Sequence, residues 1–303
     1  MPSDKLKNYL HLHLIVFIWG FTAVLGKLIS IDALPLVWYR MIIASILIGI
    51  FIFYKGYSLR VGKKALLVML TAGVIIALHW VTFFKAIKVS NVSVALVTMA
   101  TGALFTAFLE PIWYGRKMVW YEVAFGLLVV FGLYLIFNVD TSYRLGIGLA
   151  LISALLGSIF TLINGQLIKT HKPSTISFYE LTSGACFISI FLAISGSFDE
   201  TFFALSSNDW FFIIILASVC TAYAFIAAVK VMRYISPYTV MLTINLEPVY
   251  GILLALIIFD QSERMRPLFY VGAVLIVFTI VANGILKNRR KLRIEKGTND
   301  EVS

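Results

Sequence analysis

Charge is scarce in this chain. Of its 303 residues only 13% are Asp, Glu, Lys or Arg, whereas charged residues make up about a quarter of a soluble domain. Apolar residues take their place: they form 60% of the sequence and give it a mean hydropathy of +0.94. This balance excludes an ordinary soluble enzyme and indicates a protein that lies in lipid.

Cysteine and metal-ligand motifs are also lacking. The two cysteines, Cys186 and Cys220, both fall within apolar runs, which predicts buried packing residues rather than a disulfide or a metal site. The sequence has no His-Glu-x-x-His motif, no nucleotide-binding motif and no Asp inside an apolar run. We therefore expect no enzyme activity, no cofactor and no bound metal, and an ATP-driven pump is disfavoured.

What the sequence does contain is a series of ten apolar runs. Each is long enough to cross a hydrocarbon core about 30 Å thick at about 1.5 Å per residue. In lipid a segment must satisfy its own backbone hydrogen bonds, so each run is predicted to be a helix. The expected fold is an all-α membrane protein with ten transmembrane helices, over residues 11–30, 34–54, 65–87, 92–114, 120–138, 146–168, 176–195, 210–232, 237–259 and 267–286.

The basic residues predict the orientation of these helices. With a cytoplasmic N-terminus, 18 of the 25 Lys and Arg residues fall on the cytoplasmic side, six fall outside, and Arg40 lies within a span. This positive-inside bias predicts a multi-pass protein of the plasma (inner) membrane with both termini in the cytoplasm. The net charge of +10 then needs no nucleic acid, because the basic tail from Lys287 to Lys296 is expected to contact anionic lipid headgroups.

Ten helices divide into two sets of five. An odd number of helices per half makes the second half enter the membrane from the opposite side, which is the inverted repeat of many secondary transporters. The predicted organisation is a cytoplasmic N-terminus at 1–10, a first repeat at 11–138, a second repeat at 146–286 and a basic cytoplasmic tail at 287–303.

The triplet Leu-Glu-Pro occurs twice, around Glu110 and Glu247, and tests the register of the repeat. Aligning the two copies would place the polar turn at Lys88 in the middle of a later span, which an apolar medium forbids. An offset of 146 instead pairs Gly102 with Pro248, and an offset near 138 suits the first two helices of each half. Of the two acids, only Glu247 is predicted to lie near the midplane.

Four segments resemble the drug/metabolite transporter superfamily, EamA type. They read FIWGFTAVLGK (17–27), PLVWYR (35–40), FFKAIKVSNVSVAL (83–96) and VKVMRYISPYTVMLTINLEPVYG (229–251). The resemblance covers nearly the whole chain and implies ten helices around a central cavity, with transport of small polar or amphipathic metabolites, often outward. The family often has Pro at the position of Gly102, so the two halves are not expected to contribute equally.

Depth ranks the candidate substrate contacts, because ionisable groups deep in a span usually face a cavity or a partner. Glu247 lies about 15 Å into its span by rise per residue, beside the predicted helix break at Pro248. Gly102 is the matching break in the first half, and Asn245 adjoins the break at Pro248. Freed backbone groups at mid-membrane suit a ligand or an ion; a structural carboxylate paired with another helix is the alternative.

Four further polar residues lie within spans. His79 is a candidate for the cavity because imidazole titrates near neutral pH and would suit a proton-coupled step; a hydrogen-bonded packing residue is the alternative. Arg40 has the shape to clamp a substrate carboxylate, or it snorkels to the interface as an anchor. Asn164 either reaches the cavity or bonds between helices. Glu180, near the start of its span, is expected to be interfacial rather than a gate.

Aromatic residues complete the predicted site. Trp19, Trp80 and Phe83 are expected to supply its apolar walls. Tyr223 is also a candidate lining residue, although aromatic residues near helix ends often mark the membrane interface.

The predicted function is secondary transport of a small metabolite, amino-acid-like or amphipathic, by alternating access and in the direction of export. The expected partners are that substrate, a proton or another coupling ion, and membrane lipids, with the chain as a monomer or a homodimer. A non-coupled channel, scramblase or membrane receptor on the same ten-helix fold stays open. A carrier would saturate and show counterflow, whereas a channel would show neither.

Overall fold

The computed structural model describes residues 2–115, 120–139, 141–235, 240, 243–244 and 246–300. Within those ranges all regular structure is helical. The α-helices are α1 Pro2–Leu28, α2 Ala33–Tyr54, α3 Lys63–Val89, α4 Val92–Met99, α5 Gly102–Tyr114, α6 Trp120–Val139, α7 Arg144–Leu167, α8 Pro173–Ile194, α9 Glu200–Phe203, α10 Ser207–Ala217, α11 Ala224–Val231, α12 Glu247–Phe259 and α13 Pro267–Asp300. A π-helix at Ser218–Tyr223 joins α10 to α11, and short 3₁₀ turns cover Thr141–Tyr143 and Asp260–Glu263.

Seven segments of the described chain are long and apolar enough to cross a membrane. They are Leu6–Leu28, Ala33–Tyr54, Lys63–Val89, Val92–Tyr114, Arg144–Leu167, Pro173–Ile194 and Ser207–Val231, with a shorter apolar helix at Pro267–Thr279. All-helical architecture and multiple membrane spans are thus confirmed, while the count of ten stays a prediction. The first helix begins at Pro2 rather than residue 11, and the last continues to Asp300 rather than ending at residue 286.

The outer surface of the bundle is apolar, as a lipid-facing surface must be. Phe53 is 90% exposed, Ile194 83% and Ile257 78%. In water such large exposed apolar side chains would form an aggregation-prone patch, whereas in a bilayer they meet hydrocarbon. Cys186 also lies on this exposed surface, so the prediction of burial was wrong for Cys186 and right for Cys220.

Helix packing follows the two-repeat pattern. Helix α3 packs against α7 and α8, and the inverted counterpart of this arrangement is the α10–α11 segment packed against α1 and α2. Likewise α1 packs against α12, while α7 packs against α4 and α5. The pairs α2–α8 and α6–α13 join matching helices of the two halves.

One pair of contacts agrees with the predicted register. Ser158 Oγ donates a hydrogen bond of 2.7 Å to the carbonyl oxygen of Gly102. In the other half Gly20 lies against α12, where a Cβ atom on Gly20 would be only 3.2 Å from the carbonyl oxygen of Glu247. Gly20 and Ser158 are 138 positions apart, which is the predicted offset, and Gly102 and Glu247 are 145 apart, one short of the predicted 146.

Polar groups connect the helices at one end of the bundle, which we name the Glu263 end after its buried carboxylate. This end contains the loops at 29–32, 90–91 and 260–266. The opposite end, with the loops at 55–62, 168–172 and 232–235, is named the Lys172 end. The carboxylate of Glu263 is buried and accepts bonds from the backbone N–H groups of Val92 (3.1 Å) and Ser93 (2.9 Å), the Ser93 hydroxyl (2.8 Å) and Lys27 Nζ (2.7 Å).

This carboxylate sits where an anion is most favoured. The first N–H groups of α4 have no partner inside their helix, and the helix dipole is positive there. Because Lys27 lies in the last turn of α1 and Ser93 in the first turn of α4, one buried side chain from the 3₁₀ turn before α13 ties together three segments of the bundle. We call these contacts the Glu263 latch.

Candidate functional site

An internal cavity of about 130 Å³ lies between the two halves of the bundle. A buried water needs only about 10–15 Å³ by the same measure, so there is room for several waters or a small organic molecule. The walls are mostly apolar with a few polar side chains, as is usual for a small-molecule site. The lining includes Trp19, Arg40, His79, Trp80, Phe83, Gly102, Gly157, Phe160, Phe225, Met232, Glu247 and Pro248.

The cavity extends further toward the Lys172 end of the bundle than toward the Glu263 end. Its lining on α3 stops at Phe83, six residues or about 9 Å before the end of that helix at Val89. At the other extreme it includes Met232, which lies just beyond α11 at the Lys172 end. The Glu263 latch therefore lies at the end of the bundle toward which the cavity extends less far.

The break between α4 and α5 and the start of α12 both lie at this cavity. Helix α4 ends at Met99 and α5 begins at Gly102, with a tight turn in which Thr101 N–H bonds to Thr98 O at 3.1 Å. In the second half, Leu246 N–H bonds to Thr243 O at 3.0 Å just before α12 begins. The predicted breaks at Gly102 and Pro248 thus coincide with the starts of α5 and α12, and both residues line the cavity.

Glu247 is the first residue of α12 and contributes to the cavity wall. Pro248, in the first turn of the helix, has no N–H to leave unsatisfied and therefore favours a helix start at this point. The position also puts the carboxylate at the positive end of a half-helix dipole. Its side chain forms no ion pair or hydrogen bond to the part of the chain that the structure describes.

Arg40 is fully buried in the bundle rather than extended to the interface. Its Nε donates to Thr221 Oγ1 at 2.6 Å, and the guanidinium carbon lies 3.8 Å from the ring centroid of Trp80. These two contacts hold the planar group in a fixed orientation. Its Nη1 is buried and has no hydrogen-bond partner among the described residues.

The π-helix supplies the partner of Arg40. In a π-helix one extra residue is inserted into a turn, which changes the carbonyls that remain available. Here Thr221 Oγ1 bonds to Leu216 O at 2.7 Å, and the carbonyl of Cys220 accepts the indole N–H of Trp19 at 3.2 Å. The irregular turn thereby fixes two cavity side chains from other helices. No Pro or Gly in the segment signals it, so Thr221 was missed by sequence reasoning.

His79 is held by Ser153 on α7. Its Nδ1 lies 2.8 Å from Ser153 O, while the Ser153 hydroxyl donates to the His79 carbonyl at 2.8 Å. Since a carbonyl can only accept, Nδ1 carries a proton and Nε2 is the nitrogen left for other chemistry. The ring lies over Gly157, where a Cβ atom would come within 3.1 Å of His79 Cε1, and is parallel to Phe83 at 6.4 Å.

Eight of the predicted site residues line this cavity, and two other described ones do not. Asn164 is fully buried, and its amide donates to Glu180 Oε1 at 2.9 Å. Tyr223 lies on the bundle surface, with its hydroxyl 2.8 Å from His11 Nε2. Asn245 lies outside the described residues. The cavity residues are Trp19, Arg40, His79, Trp80, Phe83, Gly102, Glu247 and Pro248; a substrate role for each stays a prediction.

The structure corrects one expectation and adds two aromatic residues. Glu180 is completely buried, so the interfacial placement was wrong. Glu180 accepts a bond from Asn164, a polar residue in the middle of an apolar run. The presence of Asn164 in that run was the sequence signal that it has a buried polar partner. Phe160 and Phe225 stack at 5.5 Å on the Lys172 side of the cavity, and Phe225 meets Trp80 edge-on at 5.8 Å. Their pairing depends on tertiary packing and leaves no sequence pattern.

Known proteins resemble this chain over nearly its full length. The model of the EamA-like transporter family matches residues 6–138 and 144–284. A Bacillus subtilis (strain 168) protein named uncharacterized transporter YxxF is 21% identical over 310 residues, covering 99% of this chain and 97% of that protein. A crystal structure aligns with a TM-score of 0.67 over 93% of this chain and 98% of its own, at 14% identity. That last similarity shows the fold alone.

Proposed function

Because the chain belongs to the EamA-like transporter family, we propose that it moves a small amphipathic metabolite with a carboxylate through its central cavity by alternating access. Family membership and the name of the Bacillus subtilis relative point to a transporter rather than an enzyme. One observation above all supports the finer proposal: Arg40 and Glu247 lie on the wall of one mostly apolar cavity.

Arg40 and Glu247 suit the two charges of an amino-acid-like substrate. Arg40 lines the cavity, and a guanidinium binds a carboxylate more strongly than a neutral donor does. Glu247 offers acceptor oxygens to an ammonium group or a hydroxyl. Trp19, Trp80 and Phe83 would enclose the apolar part of the substrate. The preferred direction is export, in keeping with the family resemblance.

The basic residues favour the plasma membrane with both termini in the cytoplasm. In that orientation the Glu263 end faces outward, and the cavity reaches toward the cytoplasm at Met232. The conformation would then be the one that accepts substrate from inside, with the Glu263 latch keeping the outer side closed. Rocking of one repeat against the other would open the latch and release the substrate outside.

Flux into proteoliposomes tests this proposal. Purified protein is reconstituted and supplied with a panel of radiolabelled amino acids and related amphipathic metabolites, with and without a pH gradient. We expect saturable uptake of at least one compound and acceleration by the same compound on the opposite side. Flux that rises linearly with concentration and shows no counterflow would instead support a channel or scramblase. An unchanged rate after loss of both the Glu247 and His79 side chains would refute the site.

A further inference from the structure

A pair of buried polar side chains, Glu180 and Asn164, lies outside the cavity lining. Glu180 on α8 and Asn164 on α7 are both completely buried, and Asn164 Nδ2 donates to Glu180 Oε1 at 2.9 Å. Glu180 is seven residues from the start of α8, which corresponds to about 10 Å from the Lys172 end. Its carboxyl group is therefore inside the apolar layer, where an isolated negative charge is strongly disfavoured.

Two atoms of this pair have no partner. Glu180 Oε2 and Asn164 Oδ1 are both buried and form no hydrogen bond in the described structure. The amide orientation is fixed, because Nδ2 also donates to Phe160 O at 3.3 Å, a position that only a donor can occupy. An anion at Glu180 would leave both oxygens unsatisfied.

A single added proton would give both of these oxygen atoms a hydrogen-bond partner. Added to Glu180 Oε2, it gives an O–H group that can donate to Asn164 Oδ1, while the existing N–H···Oε1 bond remains. Carboxylic acid and amide then form a two-point hydrogen-bonded pair with each donor matched to an acceptor. A hard metal cation would require several more oxygen ligands than these two groups supply, so the chemistry fits a proton.

The surroundings offer Glu180 no compensating cation. The carbonyl of Glu180 lies against Gly73 of α3, so closely that a Cβ atom there would be 2.2 Å from it. Among the described residues its carboxylate has no ion-pair partner. Titratable groups on α7, α8 and the helices packed against them are engaged elsewhere or exposed. Arg40 bonds to Thr221, His79 to Ser153, Tyr39 to Phe202 O, Tyr179 to Leu59 O, Lys85 to Asp32 and Lys88 to Ile29 O. The exposed ones include Lys63, Lys64, Lys230 and Cys186.

We propose that Glu180 and Asn164 form the binding site of a coupling proton, separate from the substrate cavity. The inference rests on the proposed transport function and names its coupling ion. Uptake of the proton from water converts the Glu180 carboxylate to the acid, and its release to water on the other side restores the carboxylate. No other reactant takes part.

Linkage explains how this site would drive transport. The tightly packed conformation suits the protonated acid, because the anion would be buried with a single hydrogen bond. Loss of the proton therefore favours a conformation in which water reaches Glu180. Asn164 connects this change to the cavity, since its amide bonds both to Glu180 and to the backbone carbonyl of Phe160. Phe160 is one of the residues that line the cavity. A ligand that binds two conformations unequally shifts their populations in this way.

Infrared difference spectroscopy tests proton binding without any substrate. Purified wild-type protein is titrated with acid and base, and the carbonyl stretch of a protonated carboxyl group is followed. We expect a titrating band that is absent from Glu180→Gln and retained in Glu110→Gln and Glu247→Gln. In Asn164→Leu the band should move to higher frequency, because the acid loses its acceptor. A band that never titrates, or one that persists in Glu180→Gln, would overturn the proposal.

Flux measurements then test coupling. The substituted Gln keeps a donor and an acceptor facing Asn164 and imitates the acid. Glu180→Gln should therefore retain counterflow, while uptake driven by a pH gradient should fall to the level without a gradient. Wild-type gradient-driven uptake in Glu180→Gln would refute the coupling site and leave the transport function standing. If no compound of the panel is carried by any variant, the transport function fails, and the infrared titration still decides whether Glu180 binds a proton.

Discussion

Arg40 is the cavity residue whose side-chain chemistry is most constrained. Its Nε bonds to Thr221 and its guanidinium plane lies on Trp80, while Nη1 is buried without a hydrogen-bond partner among the described residues. Lysine keeps the charge but has neither the Nε donor nor the planar face. The role we propose for Arg40 therefore depends on the shape of the side chain as well as on its charge.

Replacing Arg40 by Lys should weaken substrate binding. We expect KM for a carboxylate substrate to rise about tenfold or more, equivalent to about 1.4 kcal/mol or more of lost binding, and Thr221→Val to have a smaller effect in the same direction. The concentration dependence of flux measures this. Arg233→Lys is the matched control, because Arg233 is exposed and bonds to His171 O at 3.0 Å, away from the cavity. Equal KM values for Arg40→Lys and the control would contradict the proposed contact.

The position of an individual residue could be predicted from the sequence only where its depth in a membrane span or its effect on a helix restricts where it can lie. Glu247, Pro248 and Gly102 were placed beside the cavity because lipid tolerates a mid-span acid or helix break only where protein or water surrounds it. Tyr223 was a weaker case, since an aromatic residue near a helix end fits either a cavity or a surface. Glu180 was misplaced because distance along the chain does not show that Asn164 of a neighbouring helix covers it.

Among the elements, α3 and α8 approach each other closely at two glycines. Gly73 lies against the Glu180 backbone, and Gly184 lies against Met41 and the Gly73 carbonyl. Small residues allow helices in lipid to approach this closely and gain van der Waals contact. A side chain at either glycine would push α8 away.

Gly73→Ala should therefore destabilise the protein. The added methyl group would meet Glu180 O at 2.2 Å and Ser183 Cβ at 2.8 Å, and overpacking of this kind costs about 1–3 kcal/mol. Thermal unfolding in detergent should show a lower Tm than for wild type. Gly148→Ala is the control, because a Cβ atom at Gly148 meets nothing within 4 Å. A Tm for Gly73→Ala that equals the control value would show that α3 and α8 are not tightly packed.

The Glu263 latch joins α1, α4 and the turn before α13. Glu263→Gln keeps the size of the side chain but removes the charge that Lys27 and the start of α4 favour. We expect the cavity of this variant to become more accessible from the Glu263 end. A cysteine introduced at Thr22, which lines the cavity, should react faster with a membrane-impermeant maleimide applied from that side.

This labelling is done with the native Cys186 and Cys220 replaced, and with Asp260→Asn as the control. Asp260 is near Glu263 in sequence but exposed, and its ion pair with Arg264 lies on the surface at 2.8 Å, an interaction of small value. Labelling rates that are equal in wild type, Glu263→Gln and Asp260→Asn would show that the latch does not control access.

The sequence patterns predicted the helices better than they predicted where the helices are interrupted. Apolar runs of about 20 residues predict helices in lipid with little ambiguity. The π-helix at Ser218–Tyr223 could not be anticipated, because it is stabilised by bonds to Arg40 and Trp19 on other helices. The latch could not be anticipated either, since Glu263 looks like an ordinary loop acid until the start of α4 is placed beside it.

At the level of the whole molecule, one cavity lies between two inverted halves, and its polar groups are not duplicated. Glu247 begins α12, while the corresponding position in the first half is Thr101. The first Leu-Glu-Pro lies within α5, whereas the second places its acid at the start of α12. The asymmetry indicates that the two halves form the scaffold together while the second supplies the carboxylate.

The two Leu-Glu-Pro acids therefore provide the most direct test of the proposed transport site. Counterflow of a transported compound is measured in proteoliposomes with wild type, Glu247→Gln and Glu110→Gln, at equal protein incorporation. We predict that Glu247→Gln abolishes saturable counterflow and that Glu110→Gln retains it. Counterflow that survives Glu247→Gln unchanged, or that is lost only in Glu110→Gln, would contradict a substrate site at the start of α12.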